Sequence, residues 1–215
     1  MKHYYVQSEG NVFLVKENGK MRLPKREEIP FAIREATSMN LNGNEVIWCD
    51  SEVHEGKGWV HRDDLLTSHN EADELAKLIA IKSYPRVTAG VFLTKGDDVL
   101  LVKPNRGLAK DIWIAPGGFV EYGENPEEAV RREVKEETNL KVGKMELLSV
   151  ESTRHQNTNM HFVTIFFTGE AEGSLKKRED EIGEARFMPM KEIAKLPTEA
   201  NNRAALEKLA KRMKL

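Results

Sequence analysis

Between Gly118 and Leu140 the chain reads GFVEYGENPEEAVRREVKEETNL, and in it Arg132 is followed by three carboxylates, Glu133, Glu136 and Glu137. Positions spaced i, i+3 and i+4 share one face of an α-helix. Like charges packed that closely repel by about 0.2–0.5 kcal/mol per pair. A merely solvated helix could scatter them at lower cost. A cluster of hard oxygen ligands is what a Mg²⁺ ion bound to a phosphate-bearing molecule requires.

The elements that must hold these groups are signalled around them. Asn125 suits an N-cap, Pro126 the first helical position, and Glu128 completes a capping-box pattern. Val130 and Val134 form a flanking apolar stripe, and Arg131, Lys135 and Thr138 are expected on an exposed far face. Before the helix, Trp113–Ala115 reads as a short strand. Pro116, Gly117 and Gly118 read as a tight turn where backbone can approach a ligand closely. Glutamate- and lysine-rich helices are usually solvated surface, and 32% of this chain is charged. That explanation covers the charges, but not a glycine pair, a capped helix and an arginine all in register.

Gly118, Glu124, Arg132, Glu133, Val134, Glu136, Glu137 and Leu140 fit the spacing G-x5-E-x7-R-E-U-x-E-E-x-G-U, in which U is aliphatic. The stretch therefore resembles the box of the Nudix hydrolases. One position departs, with Asn139 where the family has Gly. The residue there is expected in a left-handed conformation just past the helix, and Asn is the next most tolerant of it.

The resemblance implies hydrolysis of a nucleoside diphosphate linked to another group, with Mg²⁺ as cofactor and Mn²⁺ as the alternative ion. By position, Glu136 and Glu137 should be metal ligands, and Glu133 a ligand or the base that deprotonates water. The Gly117 carbonyl is a further candidate ligand. Arg132 should orient the glutamates, and Glu124 should bind metal or partner Arg132. Some family members carry another catalytic Glu on a loop after the box. Asp180, Glu181 and Glu184 lie in the matching region, and Glu181 is the first choice, against the equally simple reading of an acidic surface loop. Lys103, Asn105, Arg106 and Arg154 are candidates for phosphate contact, though solvated loop is the plainer role. Phe119 and Trp113 are candidates for stacking on a base, with core packing the plainer role. His155 and His161 read as ordinary sheet or surface residues.

Composition narrows the setting. The 215 residues carry a net charge of −2 and 40% hydrophobic content, which suits a soluble globular chain without general affinity for nucleic acid or anionic membrane. Cys49 is the only cysteine, so no intrachain disulfide or cysteine-rich zinc site is expected, and the thiol reads as a small buried hydrophobe. The first residues, MKHYYVQSEG, lack an apolar signal core, and no stretch approaches membrane-spanning length. A cytoplasmic location is the expectation.

Residues 1–66 read as a small, mostly β domain. Strands are expected at Tyr4–Gln7, Asn11–Lys16, Met21–Leu23, Val46–Cys49 and Gly58–His61, with turns at Glu9-Gly10 and Asn18-Gly19. A linking helix follows at 67–83, clearest from 69 to 82, with Leu75, Leu78 and Ile79 on one face. From 84 to 215 the order is a hairpin (Val87–Thr94 and Val99–Lys103), the motif helix, strands at Met145–Glu151, Phe162–Ala171 and Arg186–Met188, then helices at Glu192–Lys195 and Glu199–Met213. The basic tail Lys208, Lys211, Arg212 and Lys214 suits a helix C-terminus. The order resembles the Nudix fold, so the expected class is α/β (α+β): an αβα sandwich with a mixed sheet, plus the mostly-β N-terminal domain.

Tyr84-Pro85-Arg86 is similar to a junction in the family's NADH pyrophosphatases, but the zinc ribbon before it and the SQPWPFP-type motif after the box are both missing. Those absences argue against that subclass. ADP-ribose pyrophosphatases tend to carry a Pro, and diadenosine-polyphosphate hydrolases a Tyr, in a stretch corresponding to Arg154–Asn159, which has neither. The leading reading is a Mg²⁺-dependent pyrophosphohydrolase acting on ADP-ribose-like or nucleoside triphosphate molecules. The alternative is a Nudix-fold sensor that binds a nucleotide without cleaving it. Against it, every glutamate of the box is present and no recognition-helix pattern is. An mRNA-decapping role would favour a basic face, which the composition does not suggest. The N-terminal domain is a candidate for substrate contacts or for a homodimer interface.

Overall fold

A computed structural model describes residues 1–66, 71–155 and 160–214. The expected start of the linking helix at 67–70 and most of the subclass stretch up to Asn159 lie outside them. The chain divides into two compact units, Met1–Pro85 with His155–Met160, and Arg86–Arg154 with His161–Leu215.

The first unit is β-rich. Its strands are β1 (Lys2–Ser8), β2 (Asn11–Phe13), β3 (Val15–Glu17), β4 (Lys20–Arg22), β5 (Arg34–Leu41), β6 (Asn44–Asp50) and β7 (Trp59–His61). Five of them form a sheet in the order β5-β6-β1-β2-β7, and β3 and β4 pair separately. The expected single strand Asn11–Lys16 is broken at Leu14, whose N–H turns to the Gly58 carbonyl at 2.8 Å. Glu9-Gly10 and Asn18-Gly19 are turns with positive φ at both residues, as such dipeptides allow. Alternation along β1 divides the core. Tyr4 and Val6 face Phe13, Ile29, Ile47 and Cys49, whereas Tyr5 faces Val12, Leu14, Leu23 and the helix α1 (Glu74–Ser83).

Helix α1 starts later than its apolar pattern suggests, because the Asp73 carboxylate accepts from the Ala76 N–H at 2.7 Å and fixes the N-terminus there. Its inward face is Ala76, Ile79 and Ala80. The two alanines let the helix lie close to the sheet, while Ile81 stays exposed.

The second unit holds β8 (Arg86–Lys95), β9 (Asp98–Pro104), β10 (Gly117–Phe119), α2 (Pro126–Thr138), β11 (Lys141–Arg154), β12 (His161–Glu172), β13 (Ile182–Pro189), α3 (Met190–Ile193) and α4 (Ala200–Met213). The sheet order is β11-β12-β8-β9-β13, with β10 added to β8. It is mixed, because β8 runs parallel to β12 and antiparallel to β9 and β10. Val91, Leu93 and Leu100 pack on Ala129, Val130 and Val134 of α2. Phe92, Val99, Leu101 and Phe166 pack on Ile193 of α3 and on Ala205, Leu206 and Leu209 of α4. Helices on both faces make the expected αβα sandwich. Among the described residues no helix is long and apolar enough to cross a membrane.

Two expectations near the motif are corrected. Ile114 makes one isolated bridge to Val102 rather than belonging to a strand. The glycines form the strand instead: Gly117 and Gly118 stand opposite Gly90 and Ala89 on β8. A buried polar knot fixes the approach to this strand. Asn202 of α4 accepts the Ala115 N–H at 2.8 Å, and Asn201 donates to Thr164 Oγ1 at 3.0 Å.

Two outcomes are expected of the first unit. Burial, then the nearby Glu35 and Asp50 charges, push the Cys49 thiol up to about 12, so a thiol reagent used near the ordinary cysteine pKa of about 8.5 should label it only after unfolding. The Arg22 guanidinium holds the Glu28 carboxyl down to about 2. That pair contributes its stability above the ordinary glutamate pKa of about 4.3 and loses it as the pH falls toward 2. Glu28→Gln should lower the unfolding free energy at neutral pH by about 1 kcal/mol or less. Denaturation curves of the two proteins should converge near pH 2.

Candidate active site

The motif helix begins as its sequence asks. Asn125 is the N-cap, Pro126 opens the helix, and the Asn125 N–H donates to Glu128 Oε2 at 2.9 Å. It ends at Asn139 with φ 58°, the left-handed residue expected where the family has Gly. Arg131 and Lys135 are exposed, but Thr138 is fully buried, contrary to expectation. Its hydroxyl donates to the Val134 carbonyl at 2.6 Å, which hides its polarity inside the helix.

Two glycines set how closely β10 lies on β8 and α2 on β10. A Cβ at Gly117 would lie 2.2 Å from the Ala89 carbonyl oxygen, and the residue holds φ 152°. A Cβ at Gly118 would lie 2.2 Å from Glu133 Oε1. The Gly117 N–H in turn donates to Glu137 Oε2 at 3.1 Å. Glu137 is only 6% exposed. Burial, followed by the Glu133 charge, pushes its carboxyl well above the usual carboxylate range. Glu133 is also raised, first by burial, with Arg132 opposing and Glu136 and Glu181 adding. Glu136 lies farther out, 3.7 Å from Arg178 Nη1.

Arg132 organises the other side of the helix. It grips Glu124 with two parallel bonds of 2.9 and 3.0 Å, donates to Glu133 Oε1 at 2.8 Å, and reaches the Phe119 carbonyl at 3.0 Å. Both Glu124 oxygens are thereby engaged, one of them also by the Glu121 N–H at 3.0 Å. That arginine holds the Glu124 carboxyl below its ordinary value.

The loop after β12 brings Glu181 toward this cluster, near enough for its charge to act on both Glu133 and Glu137. Glu181 Oε1 accepts from Arg106 at 2.8 Å, so Arg106 meets the site through this carboxylate. The Asn105 side chain joins the same loop through the Glu179 carbonyl at 3.1 Å. Lys103 goes elsewhere. Alternation on β9 sends it with Val99 and Leu101 toward the α4 face, where it pairs with Glu184 at 3.1 Å and lies over the Trp113 ring. Trp113 is buried core. Phe119 is 44% exposed and borders Phe162, so it is not core. Arg154 ends β11 opposite His161, and His161 bonds Ser152 at 2.8 Å. Sequence reasoning missed Arg178, whose partners are distant in the chain, and the Asn201–Asn202 knot, which no motif marks.

Among the described residues no three His, Cys, Asp or Glu groups are drawn around one point in a metal-binding array. Glu133 is turned to Arg132, and one Glu137 oxygen to the Gly117 N–H. The donor set still fits a hard divalent cation. It is all oxygen, and two of its carboxyls are raised by burial and mutual repulsion, which such a cation relieves.

Comparison with known proteins gives the chain's relatives. Over 113 residues the chain is 36% identical to an ADP-ribose pyrophosphatase of Methanocaldococcus jannaschii, covering 53% of this chain and 67% of that protein. Over 122 residues it is 30% identical to the NAD-capped RNA hydrolase NudC of Pseudomonas aeruginosa, covering 55% of this chain and 42% of that one. The chain thus spans less than half the length of the latter relative. A MutT NUDIX hydrolase from Burkholderia pseudomallei superposes with a TM-score of 0.56 at 26% identity, over 59% of this chain and 99% of that one. The NUDIX domain family itself matches residues 84–209. With that match running over more than half of its length, the chain belongs to the Nudix hydrolase family.

Proposed function

We propose that the chain is a Mg²⁺-dependent pyrophosphohydrolase of a nucleoside diphosphate linked to another group. ADP-ribose-like molecules lead and nucleoside triphosphates come second. The observation that carries this reading is the seating of Glu133 and Glu137 against the Gly117–Gly118 strand, with Glu136 beside them on the same helix. The Methanocaldococcus jannaschii relative, 36% identical and named an ADP-ribose pyrophosphatase, supports the order of substrates.

Glu133, Glu136, Glu137 and the Gly117 carbonyl are the groups that would hold Mg²⁺, or Mn²⁺ in its place. When bound, the ion offsets the charge of the diphosphate and holds it in line for attack. Arg132 keeps Glu133 oriented, with Glu124 bracing the arginine. Glu181 or Glu133 takes the proton as water attacks one phosphorus. The bridging P–O bond breaks, and the other phosphate leaves with its electron pair. Phe119 offers an exposed ring for a base, and Arg106 and Arg154 offer positive charge for phosphate.

The test is product release with Mg²⁺ from a panel of ADP-ribose, NADH, NAD-capped RNA, diadenosine polyphosphates, sugar nucleotides and nucleoside triphosphates. One preferred class is expected. Glu137→Gln should lose at least the roughly 10- to 100-fold that removal of an outer partner costs such a site. Tight binding without turnover in folded protein would replace this reading by the nucleotide sensor.

The glycines should separate stability from activity. Gly117→Ala meets backbone and should destabilise the fold by about 1–3 kcal/mol or more. The three atoms nearest a Cβ at Gly118 all belong to the end of the Glu133 side chain. Gly118→Ala should leave the thermal midpoint near wild type while turnover collapses.

A further inference from the structure

We infer that Arg178 is the positioning residue that places the loop carboxylate Glu181 against the helix-borne cluster. This deepens the hydrolase reading and rests on it. Arg178 binds the helix and the loop at once. Its N–H donates to the Glu137 carbonyl at 2.9 Å, beside the Lys176 N–H, which donates to the Thr138 carbonyl at 2.9 Å. Its own carbonyl accepts the N–H groups of Glu181 at 3.2 Å and Ile182 at 2.7 Å, closing the turn that carries Glu181. Its guanidinium donates from Nε to Asp180 at 3.0 Å, and Nη1 stands 3.5 Å from Glu181 Oε2 and 3.7 Å from Glu136 Oε2.

Glu181 is therefore held from two sides. Arg106 and the Asn105 N–H bond it from the loop after β9. Only Arg178 connects its side chain to α2 among the described ion pairs. The Arg178 side chain is 41% exposed, so these ion pairs add little to stability. What they fix is where a carboxylate stands relative to Glu133 and Glu137. A planar guanidinium fork can face two carboxylates together, which a lysine ammonium on a flexible stem does less well.

Steady-state kinetics and thermal midpoints of wild type, Arg178→Ala, Arg178→Lys, Glu181→Gln and the Arg178→Ala/Glu181→Gln pair test this on the substrate that the panel identifies. Arg178→Ala should lower kcat by about 10- to 100-fold, with KM within about threefold and the midpoint close to wild type. Arg178→Lys should recover part of kcat. In the Glu181→Gln background, Arg178→Ala should cost nothing further, because the arginine acts through that carboxylate. If Arg178→Ala does not fold, a several-fold loss of kcat in a stable Arg178→Lys, absent from the Glu181→Gln background, carries the same meaning. Unchanged kcat, a rise in KM alone, or additive losses would overturn the inference while leaving the hydrolase standing. A wild type inactive on the whole panel would overturn both.

Discussion

How closely a helix can lie on a sheet is set by the smallest residues between them, and the candidate site depends on that limit. Gly117 and Gly118 are consecutive, yet the missing Cβ does different work at each. At Gly117 it lets β10 press onto β8 backbone to backbone; at Gly118 it leaves room for the Glu133 carboxylate. Gly117, at φ 152°, turns its bare Cα to the β8 backbone and Gly118 turns its own to α2, so one dipeptide serves the sheet and the helix together. The Gly117 N–H then gives the buried Glu137 carboxyl a hydrogen bond from the backbone. The apolar stripe Ala129, Val130 and Val134 holds the helix at that distance.

Gathering carboxylates this way leaves charge that must be balanced. Arg132 balances it on one side of α2, with Glu124 as a brace, and Arg178 meets Glu136 and Glu181 on the other. Glu133 and Glu137 lie between these arginines and are the two carboxyls pushed upward. Positive side chains thus secure the rim, and the centre remains short of positive charge. The rim is a matter of tertiary structure, since Arg106 and Arg178 reach it from loops on either side of β10–β12 in the chain.

Much of this was legible in the sequence, for physical reasons that differ by residue. The spacing of Arg132, Glu133, Glu136 and Glu137, the cap at Asn125 and the left-handed Asn139 are local features, written within one helix. The αβα order followed from apolar periodicity. Glycines carry no side-chain alternation, so the Gly117–Gly118 strand looks like a turn in the sequence. β5 was missed because REATSMNL is polar, and the strand is mostly exposed. Thr138 looks like a surface residue because a hydroxyl is polar until it bonds its own helix. Lys103 lies close in sequence to Arg106, but strand alternation carries it to the other face. Arg178 had no local signal at all, because its value lies in partners brought by the fold.

The position of the glutamates along α2 has a consequence of its own. Aligned peptide dipoles make a helix positive at its N-terminus and negative at its C-terminus. Glu127 and Glu128 occupy the first turn, where negative charge is welcome. Glu136 and Glu137 lie in the last turn, where the same field opposes them, and Glu133 stands just before it. The helix is therefore polarised against its own chemistry. Under the proposed function, stability and activity therefore draw on Glu136 and Glu137 in opposite directions.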